Sequence, residues 1–302
     1  MSATTSSMPK PSSTREPAVA PRSASRRSPA RIRRRVLGIV AVLIALVWAF
    51  PVYWMLNSSF LPYNRIRSTE PTFFPIGGSL DAYNRVFDSN FLSSLRMSMA
   101  VTLITVAAAL LFAFLAALAL SRFRFRGRKS FILAVLIIQM IPAEGLFISH
   151  FKMLEGWHLL NSVVGLSLLY VAAVVPFTIW MLRGFVAGVP RDLEEAAQVD
   201  GCSRSQAFFR ITLPLLAPGL VASGVYAFLQ AWNEFTLALV IMNRPDSMTL
   251  PLWLRTFADA NRASDWAGIM AGSVLIAVPV IIFFLFVQHR MTSGLVTGAV
   301  KG

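Results

Sequence analysis

The sequence predicts an all-α, polytopic membrane protein: six transmembrane helices with a helical cytosolic loop late in the chain. Three observations lead there. Several apolar runs reach roughly 18 residues or more, the length that crosses a hydrocarbon core. Only 14% of the 302 residues are charged and 56% are hydrophobic, with 23 phenylalanines, whereas a soluble domain carries about a quarter charged residues. The basic residues also sort to alternate loops, the positive-inside pattern of a multi-spanning chain.

Residues 1–35 are rich in Ser, Pro, Ala and Arg, contain nine of the Lys and Arg residues, and lack an apolar period. They are expected to form a disordered, basic, cytosolic tail. The apolar run that follows is too long for a signal peptide and lacks a small-residue cleavage site, so it reads as a retained span. Six spans make up a domain of residues 36–287: about Val36 to Met55, interrupted late by Pro51; Met97 to Ser121; Phe131 to Ser149, with Pro142, Glu144 and Gly145 near its outer end; Val163 to Leu182; Leu216 to Met242; and Ala267 to Val287. Residues 288–302 form a C-terminal tail.

With the N-terminus inside, the cytosolic segments hold 20 Lys and Arg and the outer segments eight. Both termini and the loop around Glu195 are therefore expected in the cytosol, with the protein in the plasma or inner membrane. The net charge of +14 is a topology signal rather than a nucleic-acid footprint. The single cysteine, Cys202, allows no internal disulfide. His150 and His158 share one outer loop without a third ligand between them, so no metal site is expected. No catalytic constellation appears, and Gly127-Arg-Lys-Ser only mimics the end of a phosphate-binding loop.

The most informative stretch is residues 190–214. Pro190 suits the start of a short helix, and Asp192, Glu194 and Glu195 suit its positive end. Leu193, Ala196 and Ala197 fall on one face. Asp200-Gly201 follows, and Gly201 ends the helix because glycine takes positive φ without steric cost. Ser203 and Gln206 have capping-box spacing for a second short helix, with Phe208, Phe209 and Ile211 as its apolar side. Pro214 is expected to stop it, acting already on Leu213.

This pattern resembles the EAA loop of ATP-binding-cassette importer permeases. Glu195, Ala196, Ala197, Gly201, Ile211, Leu213 and Pro214 occupy every position of the family pattern. Pro71-Thr-Phe-Phe-Pro, Leu120-Ser-Arg-Phe-Arg-Phe-Arg-Gly-Arg, Pro176-Phe-Thr-Ile-Trp-Met-Leu-Arg-Gly-Phe and Trp232-Asn-Glu-Phe resemble the carbohydrate-importing, maltose-type branch, and the tail from Gly294 resembles that of the smaller of its two permease subunits. The resemblance covers about residues 36–302. It implies a sugar or oligosaccharide permease that pairs with a second permease chain. Two cytosolic ATPase subunits would drive the pair, and an extracytoplasmic sugar-binding protein would feed it. It also implies that the loop, including Asp200, is the coupling helix that docks on an ATPase, and that Gly294, Gly298 and Lys301 of the tail touch the ATPases. ATP and Mg would be held by those partners, and this chain would bind no cofactor and catalyse nothing.

Glu234 sits in an otherwise apolar span, where a charge usually faces a cavity or a partner. Asn233 and Glu234 are candidates for the translocation path; a hydrogen-bonded structural role for Glu234 near the outer interface is the equal alternative. Trp232 and Trp266 would also suit interfacial anchors. Two other readings remain open: the same importer class carrying a polyol or glycerol-phosphate, and a secondary transporter, which would need paired intramembrane ionisable groups.

Overall fold

The computed structural model describes residues 29–258 and 264–298, with side chains over 33–258 and 264–288. Among the described residues there is no strand. Five helices are long and apolar enough to span a membrane, and a bent pair brings the total to six.

Helix α1 runs Pro29–Ser59. It starts inside the segment expected to be disordered, because Pro29 suits a first helical turn and the Ala-Arg-Ile-Arg run that follows favours helix. Residues 1–28 lie outside the described residues. The chain divides into two compact units at Pro51, yet α1 continues helical through it, as spanning helices can where the freed carbonyl finds another partner. From Val52 onward, the end of α1 holds the following loop. Tyr53 donates its hydroxyl to the Phe73 carbonyl, Asn57 Nδ2 donates to Thr72 O at 2.7 Å, and the Ser59 and Tyr83 hydroxyls meet at 2.8 Å. Two short helices, α2 (Tyr63–Ile66) and α3 (Asp81–Asp88), complete this loop.

The centre of the bundle is α4 (Phe91–Arg122), α7 (Val163–Gly188) and α10 (Leu213–Asn233), which pack pairwise. Small residues explain their closeness. Ala109, Ala113 and Ala117 recur every four residues on α4, each with no exposed surface. Gly219, Ser223, Ala227 and Ala231, all buried, recur at the same spacing on α10. Lipid tails are as apolar as leucine, so spanning helices associate through this kind of close backbone approach. Gly219 leaves no room to spare: a Cβ there would stand 2.4 Å from Cγ of Phe185. Ser162 caps α7 by accepting from Gly165 N at 3.0 Å.

The expected third span, Phe131 to Ser149, is not one helix. The structure has α5 (Arg128–Ile138), a 3₁₀ turn at Ala143–Leu146 and α6 (Phe147–Gly156), bent by 89°. Pro142 removes a donor and forces Ile141 out of the helical region. The 11 residues of α5 reach only about 16 Å at 1.5 Å per residue, too short to cross alone.

The expected fifth span, Leu216 to Met242, is also interrupted. Helix α10 ends at Asn233, Glu234 is extended (ψ 126°), and α11 runs Thr236–Ile241. Helix α12 (Leu250–Leu254) follows, with Leu250 N donating to Ser98 Oγ on α4 at 2.7 Å. Helix α13 runs Trp266–Gly298, so the segment expected as a separate tail from residue 288 begins as a continuation of the last span. Arg85 of α3 pairs with Asp265 at the start of α13 at 2.8 Å. Trp232 is buried, stacked on Phe228, which in turn stacks on Phe283 of α13 at 4.0 Å; it is a core residue and not an interfacial anchor. Trp266 is about half exposed.

Candidate functional site

Two places carry the residues singled out from the sequence. The first lies between α7 and α10. Helix α8 (Asp192–Val199) has all three of its acidic residues in its first turn. Gly201 follows at φ +89°, and nothing lies within 4 Å of where its Cβ would be. Its requirement is therefore one of backbone conformation and not of space. Ser203 then caps α9 (Arg204–Ala207) in a full capping box: Gln206 N donates to Ser203 Oγ at 3.2 Å and Ser203 N donates to Gln206 Oε1 at 2.9 Å.

Pro214 does not stop this second helix. Residues Phe208–Thr212 form a π-helical turn that leads directly into α10, where Pro214 sits in the first turn. A proline ring collides with the carbonyl four residues back, here that of Arg210. Widening the turn moves that carbonyl aside, so the chain stays helical, and π turns of this kind recur where a helix must absorb such a break.

The loop is fixed to the bundle by Glu194, not by Glu195. Thr212 Oγ1 donates to Glu194 Oε1 at 2.6 Å, and Arg122, at the end of α4, reaches the same oxygen at 3.1 Å. Arg191 donates to the Arg122 carbonyl. Glu195, Ala196, Asp200 and Pro214 are exposed, Ile211 and Leu213 are half-buried, and Ala197 is buried. The expected apolar face of α8 is thus split, with Ala197 turned inward and Leu193 exposed. Val199, 87% exposed, and Phe209, 63% exposed, are the other large apolar side chains presented outward here. From sequence Glu194 had only a place at the positive end of its helix and Thr212 had none; their pairing depends on how α8 folds back on the π turn, which spacing alone does not give.

The second place is the break at Glu234. Its carboxylate caps α11: Leu237 N donates to Oε1 at 2.7 Å and Ala238 N donates to Oε2 at 3.2 Å. Tyr170 of α7 donates its hydroxyl to Oε2 at 2.6 Å. Beside it lies a cavity of about 180 Å³ whose polar lining is Gln139, Tyr170, Tyr226, Gln230 and Glu234. Asn233 is not part of that lining; it is exposed, with Nδ2 donating to Leu229 O of its own helix at 2.9 Å. Tyr170 and Gln139 were missed because each reads from sequence as an isolated polar tip in an apolar run. Asn161 takes φ +55°, and its Oδ1 accepts from Asn243 N at 2.6 Å and Arg244 N at 3.1 Å, tying the start of α7 to the loop after α11.

Gly294 and Gly298 lie on the last turns of α13, and Lys301 lies outside the described residues. Among the described residues no three His, Cys, Asp or Glu side chains come together as a metal-binding group.

Comparison with known proteins adds the following. Residues 109–295 match the family described as binding-protein-dependent transport system inner membrane component. The chain is 42% identical over 265 residues to the diacetylchitobiose uptake system permease protein DasC of Streptomyces coelicolor, covering 87% of this chain and 96% of the relative. It is 34% identical to the trehalose transport system permease protein SugB of Mycobacterium tuberculosis, covering 87% and 97%. Among solved structures, a chain of a bacterial ABC transporter involved in import of the acidic polysaccharide alginate superposes with a TM-score of 0.71 at 24% identity, covering 86% of this chain and 96% of that one. At that identity the likeness speaks for the fold.

Proposed function

The chain belongs to the binding-protein-dependent transport system inner membrane component family, and on that footing we propose that it imports a sugar or oligosaccharide as one of two permease subunits of an ATP-binding-cassette transporter. An extracytoplasmic binding protein delivers the cargo, and two ATPase subunits on the cytosolic side power the cycle. The relatives named for diacetylchitobiose and trehalose support a short, uncharged oligosaccharide as cargo. Hydrolysis of ATP belongs to the ATPase subunits.

One observation carries the mechanism: the loop of residues 190–214 is gripped from the bundle side and bare on the other. Glu194 holds it to Arg122 and Thr212, while Leu193, Val199 and Phe209 stand exposed. Exposed apolar side chains on a conformationally fixed helix pair suit a cleft on a partner protein. The π turn joins that loop to α10 without a flexible link. A push on α8 and α9 therefore reaches the central spans, which is what alternating access requires of a subunit that does no chemistry itself. The tail after Gly294 is the second contact with the ATPases in this reading.

Vesicles containing this chain with its partner permease, ATPases and binding protein test the reading. Uptake of labelled trehalose, diacetylchitobiose and related neutral disaccharides should include at least one that vanadate abolishes. Uptake that ignores vanadate and collapses when the proton gradient is dissipated would establish secondary transport instead.

A further inference from the structure

The two interrupted spans end at the same cavity. Gln139 directly follows α5, where the third span bends by 89°, and Glu234 directly follows α10, where the fifth span breaks. Both line the cavity with Tyr170, Tyr226 and Gln230. Tyr170 is seven residues into α7, which sets the cavity about 10 Å inside the span at 1.5 Å per residue. Discontinuous spans that meet within the bilayer are where transporters place cargo sites, since interrupted backbone is tolerated there only against protein or a water-filled cavity.

The chemistry of the lining is selective. No Lys or Arg contributes to it. Its single carboxylate, Glu234, is held in place by Tyr170, Leu237 N and Ala238 N. A second negative charge brought here would meet a like charge and no cation. By contrast, the Gln230 amide and the Tyr226 hydroxyl make no hydrogen bond among the described residues, and Gln139 uses only Nε2, donating to Ala173 O at 3.2 Å. Amides and a phenol offer paired donors and acceptors of the kind that match vicinal hydroxyls. Tyr226, packed on Phe177 at 4.5 Å between ring centroids, adds an apolar edge for sugar C–H groups.

We infer that this cavity contacts cargo during translocation and admits neutral polyhydroxylated sugars while rejecting uronates, sugar phosphates and glycerol-phosphate. The inference rests on the importer reading above and narrows it: this chain takes part in cargo selection, with Gln139, Tyr226 and Gln230 as contacts and Glu234 as the positioning residue that keeps Tyr170 and α11 in place.

The test uses the same reconstituted importer. The neutral disaccharide giving the fastest vanadate-sensitive uptake is compared with its uronic-acid counterpart, always with one binding protein, so that any change in preference belongs to the permease. The wild type should favour the neutral sugar by about tenfold or more, because like-charge juxtaposition in a desolvated site is costly. Gln230→Leu should raise the KM for the neutral sugar several-fold, and Gln230→Asn, which keeps the amide, should restore much of it. Gln230→Arg should shift the ratio toward the uronate. Equal KM and an unchanged ratio in the Leu and Arg variants, in complexes that assemble at wild-type yield, would overturn the cavity's role while leaving the importer reading intact. A wild type that moves none of the sugars would bring down both.

Discussion

At the scale of single residues, two positions make separable predictions. Gly201 stands at φ +89° with open space where a Cβ would go. A non-glycine residue is therefore penalised for its backbone conformation, by on the order of 1–3 kcal/mol, and not for its bulk. Gly201→Ala and Gly201→Val should both impair uptake and ATPase co-purification at normal membrane levels, valine more so because β-branched side chains resist positive φ most. Gly201→Asn should be mildest. Full uptake by the valine variant would reduce Gly201 to a surface turn. Asp265 is the second position. Burial works against its charge, but hydrogen bonds from Arg85 and from Gly268 N outweigh that and hold its carboxyl below the usual range. Arg85 is held above its own usual value, chiefly by the hydrogen bond to Asp265. A carboxyl lowered in the folded state contributes stability above its unfolded value, near pH 3.9. That contribution drains away as pH falls through the folded value. Melting curves in detergent should lose a component in that acid window, and Asp265→Asn should lose the component and melt lower at neutral pH. An acid profile identical in the two proteins would show that the pair is incidental.

At the scale of elements, the sequence made the long helices legible and hid their interruptions. Hydropathy averages over a window, so the runs containing Pro142 and Glu234 read as continuous spans. The breaks depend on what the freed groups find: Leu237 N and Ala238 N turn to the Glu234 carboxylate, which in turn meets Tyr170, 64 residues earlier. The capping box at Ser203 and the positive φ of Gly201 were readable because each depends only on neighbours along the chain. The π turn was not, since Pro214 read alone signals a stop, and only the helix continuing into the bundle turns it into a widened turn. Packing of α7 on α10 gives a direct test. Gly219→Ala places a Cβ 2.4 Å from Phe185 Cγ, near the root of that side chain where rotation gives little relief. Overpacking of this kind costs about 1–3 kcal/mol. Thermal unfolding should show a loss for Gly219→Ala that Phe185→Ala partly rescues in the double variant. Strictly additive effects would place the two side chains out of contact.

At the scale of the whole molecule, the charge asymmetry makes an independent prediction about orientation. Reporter fusions after Lys129 and after Arg191 should read as cytosolic, and a fusion within residues 60–90 as external; reversal at any one of them would overturn the six-span topology with both termini inside. The length of the last helix has its own consequence. Helix α13 holds 33 residues, about 50 Å at 1.5 Å per residue, against a hydrocarbon core of about 30 Å. Helical backbone therefore runs on past the membrane as far as Gly298, and whatever those last helical turns touch is approached at a fixed angle and height, as by a key on a shaft. Each residue added within that shaft turns the key by about 100° and lifts it by about 1.5 Å. Insertions of one to seven alanines after Gln288 should then affect transport periodically, worst near half a turn and recovering where whole turns are completed, whereas a flexible tether would show only a smooth decline with length.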